Sequence, residues 1–229
     1  MTKSKFVNGC QVYYDDYENR WVKAVGPNVR EWEMRLGSDF TTAKEYTVTV
    51  VGGVDAITQG ILAGSRAAIA TAATENNGVN VQVVGTPFQL ESGKPCYFGV
   101  KMSASQATES DILVGLASTD TSLVAAHAIT VINGVFFYKD DGATAITTNA
   151  MKASVNSAAT VGTAMDTSKH VYEILFDGTS LSFFFDSALV NTITTGWPTA
   201  VITPSVAVMA GTTTAVTSQI EWMRCIQLG

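Results

Sequence analysis

Few residues in this chain have side chains suited to chemistry, and they are scattered. There are two histidines, His127 and His170. A nucleophile–histidine–acid relay needs an imidazole held by a carboxylate beside an exposed nucleophile. His127 stands in Ala-Ala-His-Ala and His170 just ahead of an apolar run, so both read as ordinary loop or strand-end residues. Cys10, Cys96 and Cys225 lack the paired spacing of a zinc site. They read as three reduced thiols, with a Cys10–Cys225 or Cys96–Cys225 disulfide as the alternative. Asp140-Asp141-Gly142, Asp177 and Asp186 could offer oxygens to calcium. The simpler reading makes them turn residues whose side chains bond nearby backbone. No glycine-rich loop lies between a strand and a helix, so nucleotide binding has no support and no cofactor is expected. Of four tryptophans, Trp197 lies in a Gly-Trp-Pro loop and is a possible carbohydrate contact. Trp222 shares a strand face with Ile220 and Arg224 and reads as core.

The elements that would position these residues are strands. The clearest stretch runs from His170 to Ile193, where two apolar runs flank Asp177-Gly178. Asp-Gly signals a tight hairpin turn, because glycine adopts positive φ at little cost. Tyr172, Ile174 and Phe176 share one face, as do Leu181, Phe183 and Phe185. Val171, Leu175 and Phe184 make the opposite face apolar too, which fits a strand pair with one face in a core and the other partly covered. Asp186-Ser187 is a second turn and Leu189–Ile193 a third strand. Short strands cut by Gly-Gly, Asn-Gly and Asp-Gly turns recur from residue 46 to the end, which argues for a sandwich or barrel. Ala143–Ser168 reads as a long loop with one irregular strand. Ahead of all this, Cys10–Tyr14 and Trp21–Val25 read as a strand pair, and Val29 to Leu36 reads as a strand, with a short helix whose face is Val29, Trp32, Glu33 and Leu36 as the alternative.

Composition narrows the partners. Charged residues are 15% of the 229, against roughly 25% in ordinary soluble domains. The surface must therefore be built largely of Thr, Ser, Asn, Ala and Gly, which suits packing against other subunits. The net charge of −6 argues against nucleic acid, whose phosphates need a basic face. No apolar run approaches the ~20 residues that span a bilayer, and the first residues lack the apolar centre of a signal peptide. Residues 1–50 hold 7 basic and 7 acidic groups; residues 51–229 hold 7 and 13. This shift divides the chain into a lead-in, 1–39, and a β domain, 40–229.

The series Phe88-Gln-Leu-Glu-Ser-Gly-Lys-Pro-Cys-Tyr-Phe-Gly-Val, Leu113-Val-Gly-Leu, Asn133-Gly-Val-Phe-Phe, the 172–187 strand pair, Pro204-Ser-Val-Ala-Val-Met-Ala-Gly and Ile220-Glu-Trp-Met-Arg-Cys-Ile-Gln-Leu resembles a concanavalin A-like (laminin G-like) jelly roll. The expected fold is all-β: an antiparallel jelly-roll β-sandwich preceded by a short N-terminal β arm. Glycoside hydrolases of this fold carry Glu-x-Asp-x-x-Glu or Glu-x-Asp-x-Glu on one strand. Glu109-Ser-Asp111-Ile-Leu-Val has the first two acids but Leu113 or Val114 in place of the third, so no enzyme is expected and both acids read as solvated loop residues. The charged lead-in and Thr/Ala/Gly-rich loops are also similar to structural jelly rolls of tailed bacteriophages. That likeness implies a virion protein, a capsid decoration or cement protein made in host cytoplasm that binds the major capsid protein as a homotrimer. Tyr13, Trp21, Trp32, Met34 and Leu36 would reach onto the shell or a sister subunit, since aromatics are enriched where subunits meet. Deleting residues 1–36 would then abolish attachment and leave a folded β domain. The alternative is a lectin-like carbohydrate-binding module, on a tail fibre or a cell surface.

Overall fold

The computed structural model describes residues 2–7, 9–15, 20–26, 28–34, 40, 45–53, 55–59, 67–85 and 88–229. In chain order the strands are β1 (Thr2–Val7), β2 (Cys10–Asp15), β3 (Arg20–Val25), β4 (Val29–Glu33), β5 (Tyr46–Val51), β6 (Ala56–Gln59), β7 (Ala67–Ala70), β8 (Gly78–Val83), β9 (Cys96–Ala104) and β10 (Ser110–Ala117). They continue as β11 (Val124–Ala125), β12 (Ala128–Ile129), β13 (Gly134–Lys139), β14 (Ala145–Lys152), β15 (Val155–Ala164), β16 (His170–Phe176), β17 (Leu181–Phe185), β18 (Ala188–Ile193), β19 (Thr203–Ala210) and β20 (Thr217–Leu228). No helix occurs among the described residues.

Two antiparallel sheets face each other. One runs β15-β14-β13-β10-β19-β8-β5. The other runs β18-β17-β16-β9-β20-β7-β6, with β4 also paired to β20. Connections that cross between sheets make this a concanavalin A-like jelly-roll sandwich. The alternation expected at 170–185 is present: Tyr172, Ile174, Phe176, Leu181, Phe183 and Phe185 all enter the main core. There they meet Ile112, Val114, Val135, Phe137, Val206 and Val208 of the facing sheet. Phe137 meets Tyr172 and Phe183 edge-on, each at 5.4 Å, a favoured aromatic geometry.

Several local details differ from the sequence reading. The Asp177-Gly178 connection is a four-residue loop, since β16 ends at Phe176 and β17 begins at Leu181. Asp177 accepts from the Thr179 and Ser180 amides, both at 2.7 Å, which stabilises the longer loop. The two-residue primed turn falls at Asp186-Ser187, with φ of 48° and 67°. Ala143–Ser168 is no irregular loop: it holds the hairpin β14–β15. Its small polar side chains weaken the hydrophobic alternation because β15 lies at a sheet edge and is mostly exposed. A register shift between Ile220 and Trp222 sends Ile220 into the main core and Trp222 to the opposite face, where it closes over Gly99 beside Tyr97.

The lead-in is bound to this sandwich. β1, β2 and β3 form a separate three-stranded sheet. Its Cys10, Val12, Trp21 and Ala24 pack on Tyr97, Ile226 and Leu228, on the outer face of the eight-stranded sheet. β4 is hydrogen-bonded along β20, from Val29↔Leu228 to Glu33↔Arg224. Cys10, Cys96 and Cys225 are all free and buried.

Candidate functional site

The seven-stranded sheet carries a second apolar layer on the face away from the main core. Leu113, Phe136, Ala207 and Met209 of the sheet meet Leu123, Val124 and Val131 of the segment between β10 and β13. Polar contacts fasten that segment down. Asn80 Nδ2 donates to the Thr121 carbonyl at 2.9 Å, and the Asp120 amide donates to Gln82 Oε1 at 2.8 Å. The segment folds into the small hairpin β11–β12, whose turn residues Ala126 and His127 have φ of 46° and 61°. This is the same two-residue primed turn as at Asp186-Ser187, again with residues that carry a Cβ.

The turn delivers His127 to Asp111. Its Nδ1 donates to Asp111 Oδ2 at 2.7 Å, while Nε2 lies 3.3 Å from Glu75 Oε1. Asp111 Oδ1 accepts from the Tyr138 hydroxyl at 3.0 Å and from the Asp141 amide at 2.8 Å. The one Tyr138 hydroxyl hydrogen is also within reach of Asp140 Oδ1 at 3.0 Å and the His127 carbonyl at 3.1 Å. Asp141 Oδ1 is buried and accepts no hydrogen bond. Acceptors therefore outnumber donors in this cluster. Glu75 and Asp140 are exposed at its rim and the His127 side chain is 27% exposed, so the rim acceptors face solvent while Asp141 Oδ1 stays buried.

The electrostatics follow from these contacts. Burial works against a charged His127, but the hydrogen bonds to Asp111 and Glu75 outweigh it and hold its pKa above the ordinary value. Burial pushes the Tyr138 hydroxyl far up, and the Asp111 charge adds to the effect. Lys139, on the core side of the same strand, is brought down to about 8 by burial, against the pull of Asp111, Asp141 and Asp140. Its ammonium donates to the Thr108 and Ser110 carbonyls at 2.7 and 2.5 Å.

This geometry corrects two sequence readings. Asp111 is no solvated loop residue but a fully buried member of β10, and His127 is its clamp rather than an incidental loop residue. The missing signal was long-range: 16 residues and a covering hairpin separate the two. Leu113 and Val114, the two positions where a third catalytic acid could stand, are fully buried, Leu113 in the second apolar layer and Val114 in the main core. His170 is likewise a clamp, 2.7 Å from Asp186 and 3.0 Å from Asp166, and Asp186 also accepts from the Val171 amide. Among the described residues no group of three or more His, Cys, Asp or Glu is arranged to hold a metal ion.

The residues expected at an interface are placed separately. Trp21 is 6% exposed and stacks on Tyr97 at 5.9 Å. Trp32 is half-buried against Tyr46 and Met34 is fully buried in the main core. Tyr13 is half-buried on β2, and Leu36 lies outside the described residues. Trp21 joins Tyr14, Tyr97, Leu175 and Phe184 in lining a small recess over the buried Glu173, which accepts from the Tyr97 hydroxyl at 2.7 Å. Trp197 is half-buried, its ring 5.2 Å from Phe176.

No protein-family model matches the chain, and no curated protein matches it. Solved structures do share the fold. The Emp47p carbohydrate recognition domain is 11% identical with a TM-score of 0.58, over 84% of this chain and 93% of that one. The Crh5 transglycosylase, solved in complex with NAG, is 15% identical with a TM-score of 0.59, over 88% and 87%. The Bacillus licheniformis beta-glucanase is 11% identical with a TM-score of 0.55, over 85% and 96%. These likenesses define the class as a concanavalin A-like jelly roll, a fold used here by a carbohydrate recognition domain and by two enzymes.

Proposed function

We propose that the chain is a carbohydrate-binding, lectin-like module whose contact surface is the rim formed by Glu75, His127 and Asp140. The exposed carboxylates of Glu75 and Asp140, beside the partly exposed His127 ring, carry this reading. Sugar hydroxyls are donors, and a ligand rich in them could bond these rim acceptors. Neighbours of the same fold include a carbohydrate recognition domain, which supports it. The reading is non-catalytic, because Leu113 and Val114 leave no third acid and Asp111 is wholly engaged. A glycan array followed by calorimetry tests it. Glu75→Gln, at an exposed position, would weaken binding about tenfold through one charged hydrogen bond. Absence of binding to every glycan class, or release of hydrolysed sugar, would refute it.

A second reading rests on a different observation. Phe6 is paired with Gln11 and Gln11 with Val25, so Phe6 and Val25 lie in one row across the arm sheet, 75% and 50% exposed. That row suits attachment to a virion shell, with the major capsid protein as partner and a homotrimer as the bound form. Phe6→Glu would then abolish binding to purified phage heads while glycan binding persisted; unchanged coating of heads would dismiss this reading.

A further inference from the structure

The outer face of the eight-stranded sheet holds a buried carboxylate. Glu173 lies in the middle of β16, between Gly99 of β9 and Phe184 of β17. It is 2% exposed, although its neighbours on that face of the strand, Val171 and Leu175, are apolar. The Tyr97 hydroxyl donates to it at 2.7 Å. Gly99 makes room for this bond, since a Cβ there would strike the Tyr97 hydroxyl. A carboxylate in such surroundings attracts cations more strongly than one in water, because the local dielectric is lower.

Glu173 lines the recess between arm and sandwich. Tyr14 and Trp21 reach it from the arm sheet, and Tyr97, Leu175 and Phe184 from the sandwich. Trp21 and Tyr97 lie nearly parallel, their planes 19° apart. Aromatic faces carry negative charge density and attract a cation within about 6 Å. The recess has room of about 70 Å³. One water needs about 10–15 Å³ on this measure, so roughly five water-sized groups fit. That is the size of a nitrogen with its methyl groups and too little for a sugar ring. The lining of four rings, one leucine and one carboxylate also suits methyl groups around the charge better than a strongly hydrated primary ammonium.

We propose that this recess binds a small methylated ammonium compound, with Glu173 as the counter-charge and Tyr14, Trp21, Tyr97 and Phe184 as the walls. The Asp111 cluster belongs to the other sheet, so this site is independent of the carbohydrate reading. Calorimetry of the full chain with choline, at constant ionic strength, tests it. A Kd of about 1 mM is expected for a head of so few heavy atoms. The uncharged isostere of choline, with carbon in place of nitrogen, should bind at least about tenfold more weakly. Glu173→Gln keeps an acceptor for the Tyr97 hydroxyl and should bring choline down to the level of the isostere. Phe184→Leu, at a half-buried position, keeps apolar packing but removes a ring, and should weaken choline about threefold. Circular dichroism verifies that both variants fold, and Phe184→Leu decides if Glu173→Gln does not. Equal binding of choline and its isostere, unchanged choline binding in Phe184→Leu, or no binding up to about 50 mM would overturn the proposal.

Discussion

His127 and Lys139 sit on opposite faces of one strand pair and should leave opposite marks on stability. His127 titrates above its ordinary value, so its contribution is complete below the unfolded pKa near 6.5 and is lost as pH rises through the folded value. Its titration, followed by NMR, should have a midpoint above about 6.5, falling back in Asp111→Asn. Lys139 is depressed to about 8. Between that value and about 10.5 the folded protein has released a proton that the unfolded chain still binds, so stability rises with pH. Lys139→Met should flatten that rise in denaturant melts at successive pH values. A flat wild-type profile from about 8 to 10.5 would contradict the burial argument.

Hairpins and turns hold these side chains in place. The Ala126-His127 turn demands positive φ at a residue with a Cβ, at a cost of about 1 kcal/mol. Ala126→Gly should therefore raise stability by up to about 1 kcal/mol in urea unfolding, a result opposite to that of glycine within a regular strand. In the arm, Trp21→Ala would remove the ring stacked on Tyr97 and open the recess above Glu173. A loss of about 3 kcal/mol is expected, with hydrogen exchange rising first in β2 and β3. Uniform exchange across the chain would mean that the arm and sandwich unfold together.

The sandwich as a whole includes the end of the lead-in. β4 lies along β20, Glu33 is paired with Arg224 at 2.6 Å, and Met34 fills part of the main core. Deleting residues 1–36 therefore should not leave an intact β domain: it strips a strand from the eight-stranded sheet and leaves a core vacancy worth at least about 2 kcal/mol for Met34 alone. Deleting residues 1–26 removes only the three-stranded sheet and should keep the sandwich folded. Thermal melts of the two truncations would separate these outcomes. Equal melting temperatures would show that β4 contributes nothing.

The period-two pattern in 170–185 was enough to give strands and their two faces, because each residue's side follows from its neighbours, but with both faces apolar only the packed sandwich shows which one enters the core. That Leu113 or Val114 stands where hydrolases of this fold carry a third acid could be seen only through the family resemblance. The lead-in's strands could be read from local alternation as well, but not that Trp21 and Met34 face inward. That depends on Tyr97 and the core beyond it, which only folding brings near. β15 escaped notice because an edge strand has little apolar alternation to display. The Asp111–His127–Tyr138 cluster belongs wholly to the tertiary structure. It joins two sheet strands to a covering hairpin, and only that closure makes a buried acceptor of an aspartate that its own neighbourhood marks as exposed.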